Sequence, residues 1–268
     1  MNAYVTHLAF EFKSGLRTPT LLLMNYLFPL GFYAMMGLIM TEINPGFTEV
    51  LVPALVIVGF MASTILGLPG PLVESREGGV FRTFKVSGVP AFAILAMPVV
   101  TTVFHGLIVA TIIVTTGPVF GASRPADWGG LIVVTLSTAF VFGAIGALIG
   151  VIARDARGTV LFSQLIFLPA MLLSGLMMPL EFLPESIRPF TALLPPTHAM
   201  QAFQGFAYAQ ETVFDPAVAL LVLLVSGALA FGLAVYLFDW DSKNRIRRGH
   251  PLMAIIAWIP YLAALWLV

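Results

Sequence analysis

The chain has 268 residues, 59% hydrophobic and 10% charged, with zero formal net charge and no cysteine. Soluble domains are about a quarter charged, so this composition leaves too little polar surface to cover a water-soluble fold. Zero net charge supplies no field for nucleic acid, and the missing thiols exclude a disulfide framework, a thiolate metal site and a cysteine nucleophile.

Residues 1–19 are amphipathic. Val5, Leu8, Phe12 and Leu16 recur at helical spacing while His7, Glu11, Ser14 and Thr18 fall elsewhere, which predicts a short helix lying in the headgroup layer. Lys13 and Arg17 precede a long apolar run with no small-x-small cleavage site, so a retained first span is expected. A helix needs about 20 apolar residues to cross a core about 30 Å thick. Residues 20–40, 51–73, 91–120, 129–153, 159–180 and 216–238 qualify. The third stretch is long enough to tilt or to be broken, and Pro98 is expected to kink it. A seventh, shorter stretch at 251–268 contains Pro260 and is expected to cross as well, with a re-entrant or interfacial helix as its rival. The reading is therefore an all-α membrane protein: an interfacial helix at 1–19, a transmembrane domain at 20–240, and a basic segment with an extra span at 241–268.

The basic residues set the orientation. With the N-terminus inside, Lys13, Arg17, Arg76, Arg82, Lys85, Arg154, Arg157, Lys243, Arg245, Arg247 and Arg248 all fall inside, and Arg124 and Arg188 fall outside. The segment between the second and third stretches, 73–90, is longer than a turn requires. It carries Glu74, Arg76, Glu77, Arg82 and Lys85, with Phe81 and Phe84 as apolar anchors for a short helix against the membrane or a partner; a plain solvated loop would carry the same charges. Near residues 174–206, Pro179, Pro184, Pro189, Pro195 and Pro196 forbid one continuous helix. Leu183, Ile187, Phe190, Leu193 and Leu194 keep helical spacing between them, which predicts short helices dipping into the outer face, against an ordinary outer loop with interfacial anchors.

None of the 13 basic and 13 acidic residues falls clearly inside a predicted span; His105 and Gln164 are the main polar groups at depth. That argues against a carrier driven through a buried charge, and His105 reads as a packed, hydrogen-bonded histidine. Gly146 and Gly150, with Gly143 on the same side, predict a close helix approach, by default within the subunit. No phosphate-loop, zinc-protease or serine-hydrolase motif is present, so the chain is not expected to be an enzyme or to hydrolyse ATP itself.

Two blocks together resemble the membrane subunit of ABC-2 type exporters, permeases that work with a separate ATP-binding-cassette ATPase. Glu74, Glu77, Gly78, Arg82 and Val86 match the family's E-x-x-x-G cytoplasmic loop. Ser174, Gly175, Pro179, Leu183, Pro184, Arg188, Pro189, Leu193, Leu194 and Pro195 match its S-G-x-x-x-P, L-P, R-P, L-L-P signature. The resemblance covers most of 1–240. It implies a six-helix ABC-2 (type V exporter-like) domain, with a coupling helix over Glu74, Arg76, Glu77, Gly78, Arg82 and Lys85 and re-entrant helices over Ser174, Gly175, Pro179, Pro184, Arg188, Pro189 and Pro195. It further implies a second permease subunit, identical or not; an ATPase partner that holds ATP and Mg, this chain binding no cofactor; and residence in the cytoplasmic membrane. The sequence departs from the family at His198, a position often aromatic, and in its extra C-terminal stretch. An uncharged, phenylalanine-rich interior favours a hydrophobic or amphipathic substrate. Rival readings are a polysaccharide or lipid-linked glycan exporter, an intramembrane enzyme, and a non-transport anchor.

Overall fold

The computed structural model describes residues 18–177, 180, 183–241 and 249–266. Most of the expected interfacial helix at 1–19 lies outside the described residues, as do Pro179 and the basic stretch 243–248. Among the described residues there is no strand. Six long apolar helices are present: α1 (Pro19–Ile43), α2 (Pro45–Glu77), α4 (Ala91–Phe120), α5 (Trp128–Ile152), α6 (Ala156–Leu173) and α8 (Pro216–Leu237). Between them lie a short helix α3 (Val80–Val86) and a helix α7 at residues 195–207. A last helical segment, α9 (Pro251–Ala264), comes after α8.

The helices run alternately between two ends. At the basic end, Arg76 of α2 meets Val151 in the last turn of α5, and Arg82 of α3 meets Asp241 after α8. At the far end, the backbone N–H groups of Ala126 and Asp127 donate to the Ala207 carbonyl, and Gln210 reaches the Glu49 carbonyl at 3.4 Å. α2 and α5 are the most buried of the long helices, and α1 and α6 the least. Leu27, Leu38 and Ile43 of α1 and Leu161, Leu165, Leu168 and Leu172 of α6 face outward. In water such stripes would drive aggregation; against lipid chains they carry no penalty.

Aspartates fix three helix starts. Asp127 accepts from Gly129 N at 2.8 Å, Asp155 from Gly158 N at 2.7 Å, and Asp215 from Ala217 N at 2.8 Å and Val218 N at 3.1 Å. Each carboxylate satisfies donors that the helix leaves unpaired and sits against the positive end of its dipole.

Prolines account for two wide turns. A proline offers no N–H to the carbonyl four residues earlier. Leu23–Leu27, ahead of Pro29, and Ala62–Gly67, ahead of Pro69, both wind as π-helix. Ile65 would normally bond residue 69; instead its carbonyl accepts the Ser163 hydroxyl of α6 at 2.6 Å. In an apolar medium such a carbonyl needs a partner, and the neighbouring helix supplies it. A third π-turn, Phe203–Ala207, closes α7.

Three sequence expectations change. The second helix does not stop at residue 73: having passed Pro69 and Pro71, where Ser163 supplies a donor to the freed Ile65 carbonyl, it runs on to Glu77. Pro98 does not interrupt α4, which is α-helical from Ala91 to Thr116. The fifth helix stops at Leu173, not 180. The Ser174 hydroxyl folds back onto the Ala170 carbonyl, and Gly175 takes φ +84°, the left-handed conformation that ends helices and that glycine adopts without strain.

The glycine pair behaves as an internal contact. A side-chain carbon on Gly146 would lie 2.9 Å from the Thr64 carbonyl carbon of α2, and one on Gly150 would lie 2.8 Å from Leu72 Cδ1. The small-xxx-small seam thus joins α5 to α2 of the same chain. His105 of α4 is 1% exposed and hydrogen-bonded through Nδ1 to the Tyr26 hydroxyl at 2.6 Å. Thr64 and Thr101 bond carbonyls of their own helices four residues back, at 2.6 and 3.0 Å, which satisfies their hydroxyls without a partner helix.

Candidate coupling and far-end sites

At the basic end α2 and α3 form a tight helical hairpin. Gly78 N bonds the Glu74 carbonyl at 2.8 Å and Gly79 N the Arg76 carbonyl at 3.2 Å. Gly79 takes φ +76°, so the corner depends on a residue without a side chain. One face of the hairpin is buried. Leu72 and Phe81 are 4% and 5% exposed, and Phe81 packs on Phe238 with ring centroids 5.2 Å apart. The other face is open: Glu74, Glu77, Gly78, Arg82 and Lys85 are exposed, and Val86 is 90% exposed. Arg82 Nε lies 3.2 Å from Asp241 Oδ2 in a half-exposed pair, which contributes little to stability but fixes where the guanidinium stands.

Arg76 does not belong to the open face. It is 4% exposed, and its guanidinium donates to the carbonyls of Val151 at 3.0 Å, Gly150 and Arg154 at 3.4 Å, and Ala153. These carbonyls end α5, which stops without the customary glycine cap. A planar, five-donor cation suits such a helix end by geometry and by charge. Charge counting assigns every arginine near this loop to the surface and so misses this role; the uncapped run Val151-Ile152-Ala153-Arg154 was the available signal.

At the far end the described signature residues fold into short turns that lead into α7. Ser174 and Gly175 close α6. The Pro184 carbonyl accepts from Ile187 N at 2.9 Å and Arg188 N at 3.1 Å, and Arg188 Nη2 returns to the Leu183 carbonyl at 3.3 Å. Arg188, Pro189 and the residues to Leu193 form a 3₁₀ turn, and extended Leu194 leads into Pro195, the first residue of α7. Proline is favoured at that helical position and imposes the extended residue before it. Every residue from Pro195 to Ala202 is buried. Gln201 Oε1 caps the returning loop, accepting from Val213 N at 2.6 Å and Phe214 N at 3.2 Å.

His198 sits where α7 meets α9. It is 2% exposed, donates through Nε2 to the Ala192 carbonyl at 2.7 Å, and lies against Phe214 and Tyr261, with centroids 5.7 and 5.2 Å away. Burial lowers the pKa of its imidazole, with the Ala192 bond opposing more weakly. Tyr261 is fully buried and clusters with Val222 and Ala264. Further along α9, Ser226 of α8 donates to the Ala257 carbonyl at 2.7 Å. Among the described residues no cluster of three or more His, Asp or Glu could hold a metal ion.

Among the described residues there are six apolar helices of membrane-spanning length and no strand, which makes this a multi-pass membrane protein. The ABC-2 type transporter family pattern matches residues 2–208, most of the chain, and the chain belongs to that family. It is a transmembrane permease component of an ABC transporter; such permeases are not themselves catalytic and work with ABC ATPase partners. No curated protein matches the chain.

Proposed function

We propose that the chain exports a hydrophobic or amphipathic compound, drug-like or lipid-like, using ATP hydrolysed by a separate subunit docked on the α2–α3 hairpin. In this reading the basic end is cytoplasmic, the protein resides in the cytoplasmic membrane, and two permease subunits flank the path. The observation that carries the reading is the two-sided hairpin: Glu74, Glu77, Lys85 and Val86 are exposed while Leu72, Arg76 and Phe81 are anchored in the helix bundle. Such a surface receives force and passes it inward. In this reading the described signature residues Ser174, Gly175, Pro184, Arg188, Pro189 and Pro195, with α7, cover the outer mouth. α9 runs antiparallel to α8 and crosses most of the membrane. Its eight 3₁₀ residues (Pro251–Trp258) and six α residues (Ile259–Ala264) rise about 2.0 and 1.5 Å each, or about 25 Å together.

The test is charge reversal on the open face. Glu77→Lys combined with Lys85→Glu abolishes co-purification of the ATPase and its stimulation by the permease, while the melting temperature in detergent stays at the wild-type value. Undiminished ATPase binding by this variant overturns the docking assignment.

A further inference from the structure

Two sets of side-chain contacts tie the hairpin to helix ends distant in the chain. Phe81 and Arg82 reach Phe238 and Asp241 beyond α8, and Arg76 reaches four carbonyls at the end of α5. The two contacts differ in kind. Arg82 is half-exposed, and its pair tolerates water and salt. Arg76 is buried, with its donors shared among carbonyls that have no intrahelical partner. Each bond from an ionised donor is roughly twice as strong as a neutral one, and removing the donor strands several buried carbonyls at once. α5 is in turn pinned at its other end, where Ala126 N and Asp127 N bond the Ala207 carbonyl of α7 and Gly130 abuts the Phe206 carbonyl so closely that no side chain fits.

We infer that Arg76 is a positioning residue that makes the hairpin and α5 one rigid body, so that a displacement imposed on the hairpin moves α5 and the far-end helix attached to it. The inference rests on the proposed docking of an ATPase for its functional meaning, but the clamp itself is a property of this chain alone. Arg76 is 4% exposed and acts through the carbonyls of Gly150, Val151, Ala153 and Arg154.

The chain has no cysteine, so an introduced pair is labelled without background. Spin labels at Thr83→Cys and Arg157→Cys, both exposed positions, report in lipid nanodiscs the distance between the hairpin and the first turn of α6, which directly follows the end of α5. The Arg76 protein gives one narrow distance distribution. Arg76→Gln broadens it, and Arg76→Lys, which keeps the charge but not the fork of donors, gives an intermediate width. If Arg76→Gln yields no monodisperse protein, Arg76→Lys alone carries the comparison. A distribution as narrow as wild type in Arg76→Gln, or in Arg76→Lys where it stands alone, overturns the clamp.

The second measurement uses the co-expressed ATPase complex. Arg76→Gln retains ATPase binding but lowers stimulation of hydrolysis by the permease about tenfold, within the usual range of coupling energies. A purely structural role would leave stimulation per bound complex unchanged, and that result overturns the positioning role even where the clamp is confirmed. Failure of the unmutated chain to bind any ATPase removes the docking reading, and with it the functional part of this inference; the spin-label comparison still decides the clamp.

Discussion

Gly146→Ala tests how tightly α5 and α2 must approach. Thr64 lies in the π-turn at Ala62–Gly67, and the new methyl would lie 2.9 Å from its carbonyl carbon. Non-bonded carbons prefer about 3.5–4.0 Å, so the helices must part by on the order of 1 Å. Backbone cannot yield as a side-chain tip does. Overpacking of this kind costs about 1–3 kcal/mol, partly offset by the better helix propensity of alanine, about 1 kcal/mol. The net loss should lower the melting temperature in detergent by a few degrees, at about 2–4 °C per kcal/mol for a chain of this size. Gly31→Ala is the matched control: its added carbon meets nothing within 4 Å, so propensity alone acts and the melting temperature stays level or rises. If the two variants melt together, the close approach at Thr64 does not exist in the folded protein.

Two further outcomes concern the far end. Tyr261→Ala empties a fully buried site between His198 and Val222; aromatic-to-alanine changes in cores cost about 3–5 kcal/mol, visible in thermal melts as the largest shift of any single change in α9. His198 is neutral in the fold because burial lowers its pKa below the ordinary 6.5, whereas the unfolded chain takes up a proton below that value. Its contribution is therefore complete above about pH 6.5 and is lost as pH falls, at about 1.4 kcal/mol per pH unit until the folded group itself titrates. Melting temperatures measured from pH 8 to 5 should fall less steeply in His198→Phe than in the native chain; equal slopes would exclude His198 as the source.

Much of this architecture was legible in the residues. The six long helices follow from apolar run length, and Ser174-Gly175 marked a stop that run length alone overrode. The seams at Gly146 and Gly150 were readable because only a missing side chain permits that spacing. Two things were not readable. The predicted stretch 51–73 already passes Pro69 and Pro71, but the donor for the carbonyl that Pro69 leaves open is a hydroxyl almost a hundred residues later. Arg76 looked like one more cytoplasmic charge, since a sequence gives the sign of a residue near a helix end but not the direction in which its side chain turns. Both misses arise from partners distant in the chain, which local periodicity does not encode.

The three wide turns are not equivalent. Pro29 and Pro69 leave one carbonyl without a donor whichever winding the preceding turn adopts, so tightening those turns only moves the vacancy. After Phe203–Ala207 there is no proline from Tyr208 to Asp215, and every residue there keeps its amide hydrogen. A slip of one residue into ordinary winding at that place forfeits no donor. It would rotate the downstream residues by about 100° and draw them in by about 1.5 Å, carrying the Ala207 carbonyl away from Ala126 and Asp127. Register is therefore held at one end of the molecule by two tertiary hydrogen bonds to the Ala207 carbonyl and in the other two turns by imino acids.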